Sequence, residues 1–409
     1  MRCRPSTDLA GLFLALCLAS TSNGQELLRV GSDGNGYLGA GDLAVLSSDE
    51  KRIDLPCEVE PLEPELEYDL NFRAGYNAKI PLAALAGDGN SLRVVFRVTP
   101  LNNPDESVYM QHRYVVPSIA ADATGEANLP GKFRLGPGQY KINWQMRDQT
   151  GKVCASNWEV AAETVEEFEK LATNPSDSIV MPFTDELFAD EPPVMRPREA
   201  LRHVKLIINF TPGNAAMARL NSYDLSSVVS MVRAISREPQ FGVFSVVAYQ
   251  SQLEKVFFEQ DRAARIDFPA LGDAFANIEG GSVDIEKLQD KESSRRFIRE
   301  LFETHLARSD NEPDAIIFVG PKLVFDRSPE SAIMPPQEFT SAPVFYFIYN
   351  RNPRAYPWRD AISAGLSNHT IHEFDITQAR GFGQALKDTL LILDHQQPVL
   401  AAEPASSSR

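Results

Sequence analysis

Val204-Lys205-Leu206-Ile207-Ile208-Asn209-Phe210 is a short apolar run rich in β-branched residues, and the elements downstream of it decide the fold of the C-terminal half. Asp224 stands at the head of a stretch in which Leu225, Val228, Val229, Val232 and Ile235 recur with a 3.6-residue period, so it reads as the cap of an amphipathic helix. Phe241–Tyr249 is a second buried run, with the shorter Lys255-Val256-Phe257-Phe258-Glu259 close behind it as an edge strand. Phe297, Leu301 and Leu306 mark another helix, Ala315–Val319 and Val344–Tyr349 two further core strands, and Leu386, Leu390, Leu391 and Leu393 a closing helix. Strand alternating with helix over residues 201–393 predicts a doubly wound, mostly parallel sheet, an α/β domain.

Upstream the period changes from 3.6 to 2. Leu66, Tyr68, Leu70 and Phe72 alternate with charged or polar residues, as do Tyr140, Ile142, Trp144 and Met146, and Leu92, Val94, Phe96 and Val98 alternate with Arg93 and Arg97. Such stripes have one buried and one wet face, the mark of an antiparallel sheet. Turn signals separate them at 87–90, 102–105, 136–138 and 148–151. Six or seven short strands over residues 56–160 resemble an immunoglobulin-like β-sandwich in architecture, with a small barrel as the alternative. Residues 161–200 turn acidic and proline-rich, with Pro175, Pro182, Pro192, Pro193 and Pro197, and read as a linker strapped over neighbouring surfaces. Residues 26–55 read as a Gly-rich leader and 394–409 as a disordered tail.

The first 25 residues have the layout of a secretory signal: Arg2 and Arg4, an apolar run from Leu9 to Ala19, then small and polar residues to Gln25. The run is too short to span a bilayer, and Leu16 spoils a lipoprotein reading of Cys17. Export to the periplasm or the extracellular space is the expectation. Cys3 and Cys17 would leave with the signal, so Cys57 and Cys154 remain as a candidate disulfide closing a loop of about a hundred residues. Two unpaired buried thiols are the alternative.

Across the 409 residues, 40 Lys and Arg face 56 Asp and Glu, a net charge of −16. That balance argues against nucleic acid and against an anionic membrane surface. No stretch after residue 25 is apolar enough for a membrane span. There is no Gly-x-Ser-x-Gly elbow, no Walker loop and no Gly-x-Gly-x-x-Gly opening a helix. Two constellations invite a metal. Asp33, Asn35, Gly36, Leu38 and Asp42 fall at EF-hand spacing, but Gly31 replaces the first ligand and Asp42 is shorter than the bidentate Glu. His369, His372, Glu373 and Asp375 crowd seven residues, yet strand alternation sends His369 and His372 to opposite faces.

In element order the C-terminal half resembles a von Willebrand factor A domain. The resemblance covers about 190 residues: strand 204–210, the helix after Asp224, the strand pair 241–249 and 255–259, Gly280-Gly281-Ser282 where the family often has Gly-Gly-Thr, and Asp314–Val319 where a strand normally leads into Thr-Asp-Gly. The family commonly binds a divalent cation at the strand ends through an Asp-x-Ser-x-Ser loop, a Thr and a later Asp. Here Asn209, Thr211 and Gly213 occupy the first loop, Ser282 stands for the Thr, and Gly320 replaces the Asp. Both carboxylates are missing, and a hard cation needs their charge. The resemblance therefore implies a binding domain that works without metal or other cofactor.

Tyr349, Arg351, Arg354, Tyr356 and Trp358 follow a core strand at its carboxyl end, and aromatics with arginine are the residues that make interface hot spots. The expectation is an exported, non-enzymatic binding or assembly protein with a protein partner. The alternative is an enzyme or solute-binding protein using the strand-end crevice.

Overall fold

The computed structural model describes residues 25–30, 37–163, 180–183, 186–196, 201–213, 217, 219–279, 291–309, 311–324, 338–354 and 357–395. They fall into two compact units. One holds the described residues up to Pro64, Ala74–Ala162 and the short stretch from Val180; the other holds Glu65–Arg73 and the described residues after Asp185.

The first unit is two facing sheets. The larger is built from β1 (Glu26–Val30), β2 (Tyr37–Leu38), β3 (Arg52–Ile53), β6 (Asn90–Pro100), β7 (Val108–Val116), β9 (Gly138–Arg147) and β10 (Val153–Ala162), in the order β2-β1-β7-β6-β9-β10-β3. The smaller holds β4 (Glu58–Leu66), β5 (Phe72–Pro81), β8 (Glu126–Leu135) and β11 (Val180–Pro182), in the order β11-β8-β5-β4. This is an antiparallel, sandwich-like arrangement whose inner faces meet through aromatic rings. Tyr76 of β5 lies edge-on to Phe96 of β6 and Trp144 of β9, and Phe96 packs on Phe133 of β8. Burying three or four such rings supplies roughly 2–3 kcal/mol each by area alone. β9 and β10 pair in full register about the turn at 148–151, where the Asp148 carboxylate accepts from the backbone N–H of Thr150 and Lys152. Cys57, just before β4, is bridged to Cys154 in β10, so the disulfide ties one sheet to the other.

Two expectations need correcting here. Residues 26–55 are not a simple leader: β1 pairs with β7, β3 pairs with β10, and α1 (Ala40–Ser47) lies between them. Leu28, Leu38 and Leu46 bury against Val95 of the larger sheet, which is why the segment folds despite its glycines. The stripe Leu66–Phe72 is not one strand either. β4 stops at Leu66 and β5 starts at Phe72, because the Asp69 carboxylate accepts from the Asn71 N–H and closes a turn in which Leu70 takes φ +61°. Tyr68 and Leu70 bury in the core of the second unit.

That second unit is built on β12 (Arg202–Asn209), β13 (Phe241–Gln250), β14 (Lys255–Ala263), β15 (Ala315–Pro321), β16 (Val344–Tyr349) and β17 (Ile371–Ile376), in the order β14-β13-β12-β15-β16-β17. All neighbours run parallel except β14, which is antiparallel to β13. The helices are α2 (Ser222–Arg237), α3 (Phe268–Glu279), α4 (Lys291–His305), α5 (Ala361–Gly365) and α6 (Ala379–His395). Alternation along each central strand feeds two cores. One face gives Leu206, Ile208, Val246, Val319 and Phe347 to the core shared with α2, α3 and α6; the other gives Ile207, Val247, Phe318 and Tyr346 to the core shared with α4 and α5. The helix cap is Asn221, not Asp224: α2 starts three residues earlier, with the Asn221 side chain accepting from the Asp224 N–H.

The stretch read as an acidic linker is not all linker: Val180–Pro182 is strand β11 of the first unit, paired with β8, while residues 186–196 are held against the second unit by several arginines, Arg237 on Glu191 and Arg265 on Asp190 among them. Arg233 of α2 donates to the carbonyls of Leu187 and Ala189, pairs with Glu191, and lies 4.7 Å above the Phe268 ring. Phe188 sits so close to Gly272 that a Cβ there would come within 2.6 Å of it.

A buried carboxyl follows α2. Glu238 is fully buried, accepts one hydrogen bond from the Gln240 N–H, and leaves its second oxygen without a partner among the described residues. Burial pushes it up to about 7, against the opposing pull of that hydrogen bond and of Arg202. A folded-state value above the ordinary carboxylate range means the folded protein holds the proton more tightly. Its contribution to stability is therefore greatest below about pH 4.5 and falls as the pH rises through 7. Glu238→Gln, which mimics the protonated side chain, is expected to match the parent at pH 4 and to exceed it by about 3 kcal/mol at pH 8 in urea titrations. Equal stabilities at pH 8 would show that Glu238 stays ionised at no cost.

Candidate functional site

The carboxyl ends of β12, β13, β15 and β16 form the side of the sheet where open α/β folds place their ligands. Here the oxygens that would face a ligand bond to one another. Asn209, buried at the end of β12, donates from Nδ2 to the Pro321 carbonyl at 2.9 Å and accepts at Oδ1 from the Thr211 N–H at 2.9 Å. The buried Thr211 hydroxyl donates to Ser251 Oγ at 3.0 Å and accepts from the Ser251 N–H at 2.8 Å. Ser294 of α4 donates to the Ser251 carbonyl at 3.2 Å. Gly320 runs against this network with φ +149°, and a Cβ on it would lie 2.4 Å from the Asn209 carbonyl oxygen. Gly213 is partly exposed, 3.6 Å short of the Lys322 carbonyl by the same measure. Ser282 lies outside the described residues.

Among the described residues, Asp224 and Asp360 stand near these strand ends, and both are already engaged. Asp224 at the start of α2 accepts from the Tyr349 hydroxyl at 2.9 Å and from Asn221 Nδ2 at 2.6 Å. Asp360 is buried, caps α5 through the N–H groups of Ile362 and Ser363, and accepts from the Leu323 N–H at 2.7 Å and the Tyr346 hydroxyl at 2.9 Å. Burial pushes its carboxyl up to about 6 in spite of those four donors. Sequence spacing hid Asp360, because its partners come from three separate elements. Among the described residues no group of three or more His, Cys, Asp or Glu is placed to hold a metal ion.

The aromatic–arginine cluster divides on inspection. Tyr349 is a core residue and not a surface contact: it is 4% exposed, its ring stands edge-on to Tyr68 at 5.6 Å, and burial raises its hydroxyl. Arg351 and Arg354 are exposed and Trp358 is half-buried; Tyr356 lies outside the described residues. The exposed aromatic that sequence reasoning missed is Tyr223, 47% exposed, with the Arg351 guanidinium 4.0 Å above its ring. Its only sequence signal was its place beside Asp224.

Among the described residues neither metal-like constellation assembles a set of three ligands. Asp33, Asn35 and Gly36 lie outside the described residues, and Asp42 sits in the first turn of α1, paired with Arg93 at 2.8 Å and Arg147 at 3.1 Å. Two guanidinium groups there take the place of a cation. His369 stacks on Phe339 and His372 on Phe345, and, contrary to the expected split between opposite faces, both line one concavity with residues 339–343, because β17 begins only at Ile371 and His369 lies outside its alternation.

No family model matches the chain. No curated protein matches it either. Among solved structures, the β-glucuronidase of Bacteroides uniformis aligns at 11% identity over 77% of this chain and 39% of that one, with a TM-score of 0.18, which is too low to carry an argument about fold or activity.

Proposed function

We propose that this chain is an exported binding or assembly protein whose C-terminal unit is a von Willebrand factor A-like domain that works without a metal ion, engaging a protein partner at the strand ends. The observation that carries the reading is the closed network Asn209–Thr211–Ser251, in which the positions of a cation's ligands satisfy each other. With the described carboxylates nearby, Asp224 and Asp360, already engaged, a divalent ion would find little charge here. The strand order, with a single antiparallel edge strand at β14, supports the resemblance. Export is supported by the Cys57–Cys154 disulfide, and no helix of the described residues is long and apolar enough to cross a membrane. The binding surface is the rim: Tyr223 with Arg351 stacked on it, and Arg354.

Two measurements test this together. In thermal melts with EDTA, Mg²⁺, Ca²⁺ or Mn²⁺ at millimolar concentration, the melting temperature is expected to stay constant. A cation at a hundred times its dissociation constant would add about 2.7 kcal/mol. A cation-dependent rise that disappears in Thr211→Ala overturns the metal-free reading. A photo-crosslinking amino acid at Tyr223 or Arg354 is expected to trap one discrete adduct in the exported fraction of the producing cell. The same group at the exposed Glu303 of α4 should not. Equal labelling at both places sinks the rim as the contact surface.

A further inference from the structure

We infer that the outer edge of β17 is a strand-addition site for an extended segment whose residues alternate basic and apolar. A sheet edge is a row of unpaired N–H and C=O groups, and folded proteins block such rows with prolines, bulges, twist or extreme brevity. Among the described residues, the other sheet edges carry these devices. β2 and β3 are two residues long, β4 contains Pro61 and Pro64, and β11 is three residues ending in Pro182. β14 has two register shifts against β13 and a left-handed residue, Arg262 at φ +42°. β17 has none of them. It is six residues in unbroken register with β16, without proline or bulge, and it ends the sheet.

The backbone polarity of that edge can be read from one bond. The Ile376 carbonyl accepts from the Asn350 N–H, on the β16 side. Alternation then directs the backbone groups of His372 and Phe374 toward β16 and those of Ile371, Glu373 and Asp375 outward. Beside this edge lies a concavity of about 560 Å³ lined by Ile371, His372, Glu373 and Phe374 of β17 and by Asp388, Leu391 and Ile392 of α6, with Leu391 47% exposed. A strand added to β17 would send every second side chain into that groove against Leu391 and Ile392. Its other side chains would fall on the opposite face, beside Glu373 and Asp375.

Charge decides the occupant. Glu373 and Asp375 are exposed and make no ion pair or side-chain hydrogen bond among the described residues. Asp388 at the groove adds a third carboxylate. A second copy of this chain, net charge −16, would bring Glu373 and Asp375 of one β17 against those of the other. Like charges directly opposite each other destabilise a strand pair. Basic residues at alternate positions pair with the carboxylates instead, and apolar residues between them fill the groove, the recognition mode in which main-chain bonds give affinity and alternate side chains give specificity.

The test uses the full chain and two fluorescent ten-residue peptides, one alternating Lys with Val and one alternating Glu with Val. Expected are saturable binding of the Lys peptide by anisotropy, at least ten-fold tighter than the Glu peptide, and slowed hydrogen exchange at the Glu373 and Asp375 amides. The double variant Glu373→Lys/Asp375→Lys should reverse the preference while its melting temperature holds. N-methylation of alternate peptide amides should abolish binding if the ladder forms. Binding that leaves the β17 amides unprotected, or that survives charge reversal, overturns the proposal. So does concentration-dependent dimerisation lost in the same double variant. Amides already protected in the free chain and released by a stop after His395 would mean that the chain covers its own edge, which also overturns it. None of these readouts involves the strand-end rim, so the two proposals fail separately.

Discussion

Gly320→Ala is expected to destabilise the α/β unit by about 3–5 kcal/mol, enough to unfold many domains of this size. Two penalties combine. Residue 320 holds φ +149°, a region that side chains other than hydrogen rarely enter, and the new methyl would stand 2.4 Å from the Asn209 carbonyl oxygen and 2.7 Å from the Asn209 Cβ. Neither neighbour can swing aside, because Asn209 ends a central strand and its side chain is bonded to Pro321 and Thr211. Relieving the clash means separating β12 from β15 where their register is continuous. The expected signature in hydrogen exchange is lost protection in β12 and β15, while the β9–β10 hairpin of the other unit is unchanged. Gly381→Ala is the control. That residue lies in α6 with nothing within 4 Å of a new Cβ, so alanine there should be neutral or stabilise by up to about 1 kcal/mol. If the two variants melt alike, the strand-end packing described for Gly320 is wrong.

The second large effect is the disulfide. Cys57 and Cys154 are 97 residues apart, and the loop-entropy relation for such a closure gives roughly 4–5 kcal/mol, with measured losses in small secreted domains of about 2–5 kcal/mol. Cys57→Ala/Cys154→Ala is expected to lower the stability of the sandwich-like unit by that amount in urea titrations, and reduction of the parent chain should do the same. Cys154 lies fully buried in β10 beside β3, so the variant also leaves a small void and its stability should not recover on re-oxidation. Trp144 and Trp158 report on this unit and Trp358 on the other, so the transitions can be separated by single tryptophan replacements. Identical midpoints for the parent, its reduced form and the variant would mean that the bridge constrains nothing the β-ladders do not already hold.

Particular residues show how far the sequence could be read. Phe241–Tyr249 and Val344–Tyr349 were legible as strands because a strand buried on both faces must be apolar along its length. The stripe through Tyr68 and Leu70 misled, because alternation signals burial on one side and does not say against what. Here the two side chains bury in a turn closed by Asp69. The leader misled for the opposite reason: Leu28, Leu38 and Leu46 are too widely spaced among glycines to make a periodic signal, yet they converge on Val95. Asn209 and Thr211 were marked by resemblance, but their bonds to each other, to Pro321 and to Ser251 join loops that only the fold brings together.

By itself the chain's order of residues determined the properties that depend on local pattern: the switch from period 2 to alternating strand and helix, the acidic charge, the lone cysteine pair after residue 25, and the uncharged residues at 209 and 320. Those properties belong to segments and need no knowledge of the neighbours that pack on them. Only the tertiary structure decided which strands end the sheets, which tyrosine is core and which is surface, and which carboxyls are held in the interior. Asp360 gathers donors from elements up to 37 residues away, and the place of β17 at the end of the sheet depends on the five strands ordered before it. Burial and pairing are properties of the neighbours a residue meets in space, and in a sheet those neighbours come from distant parts of the chain.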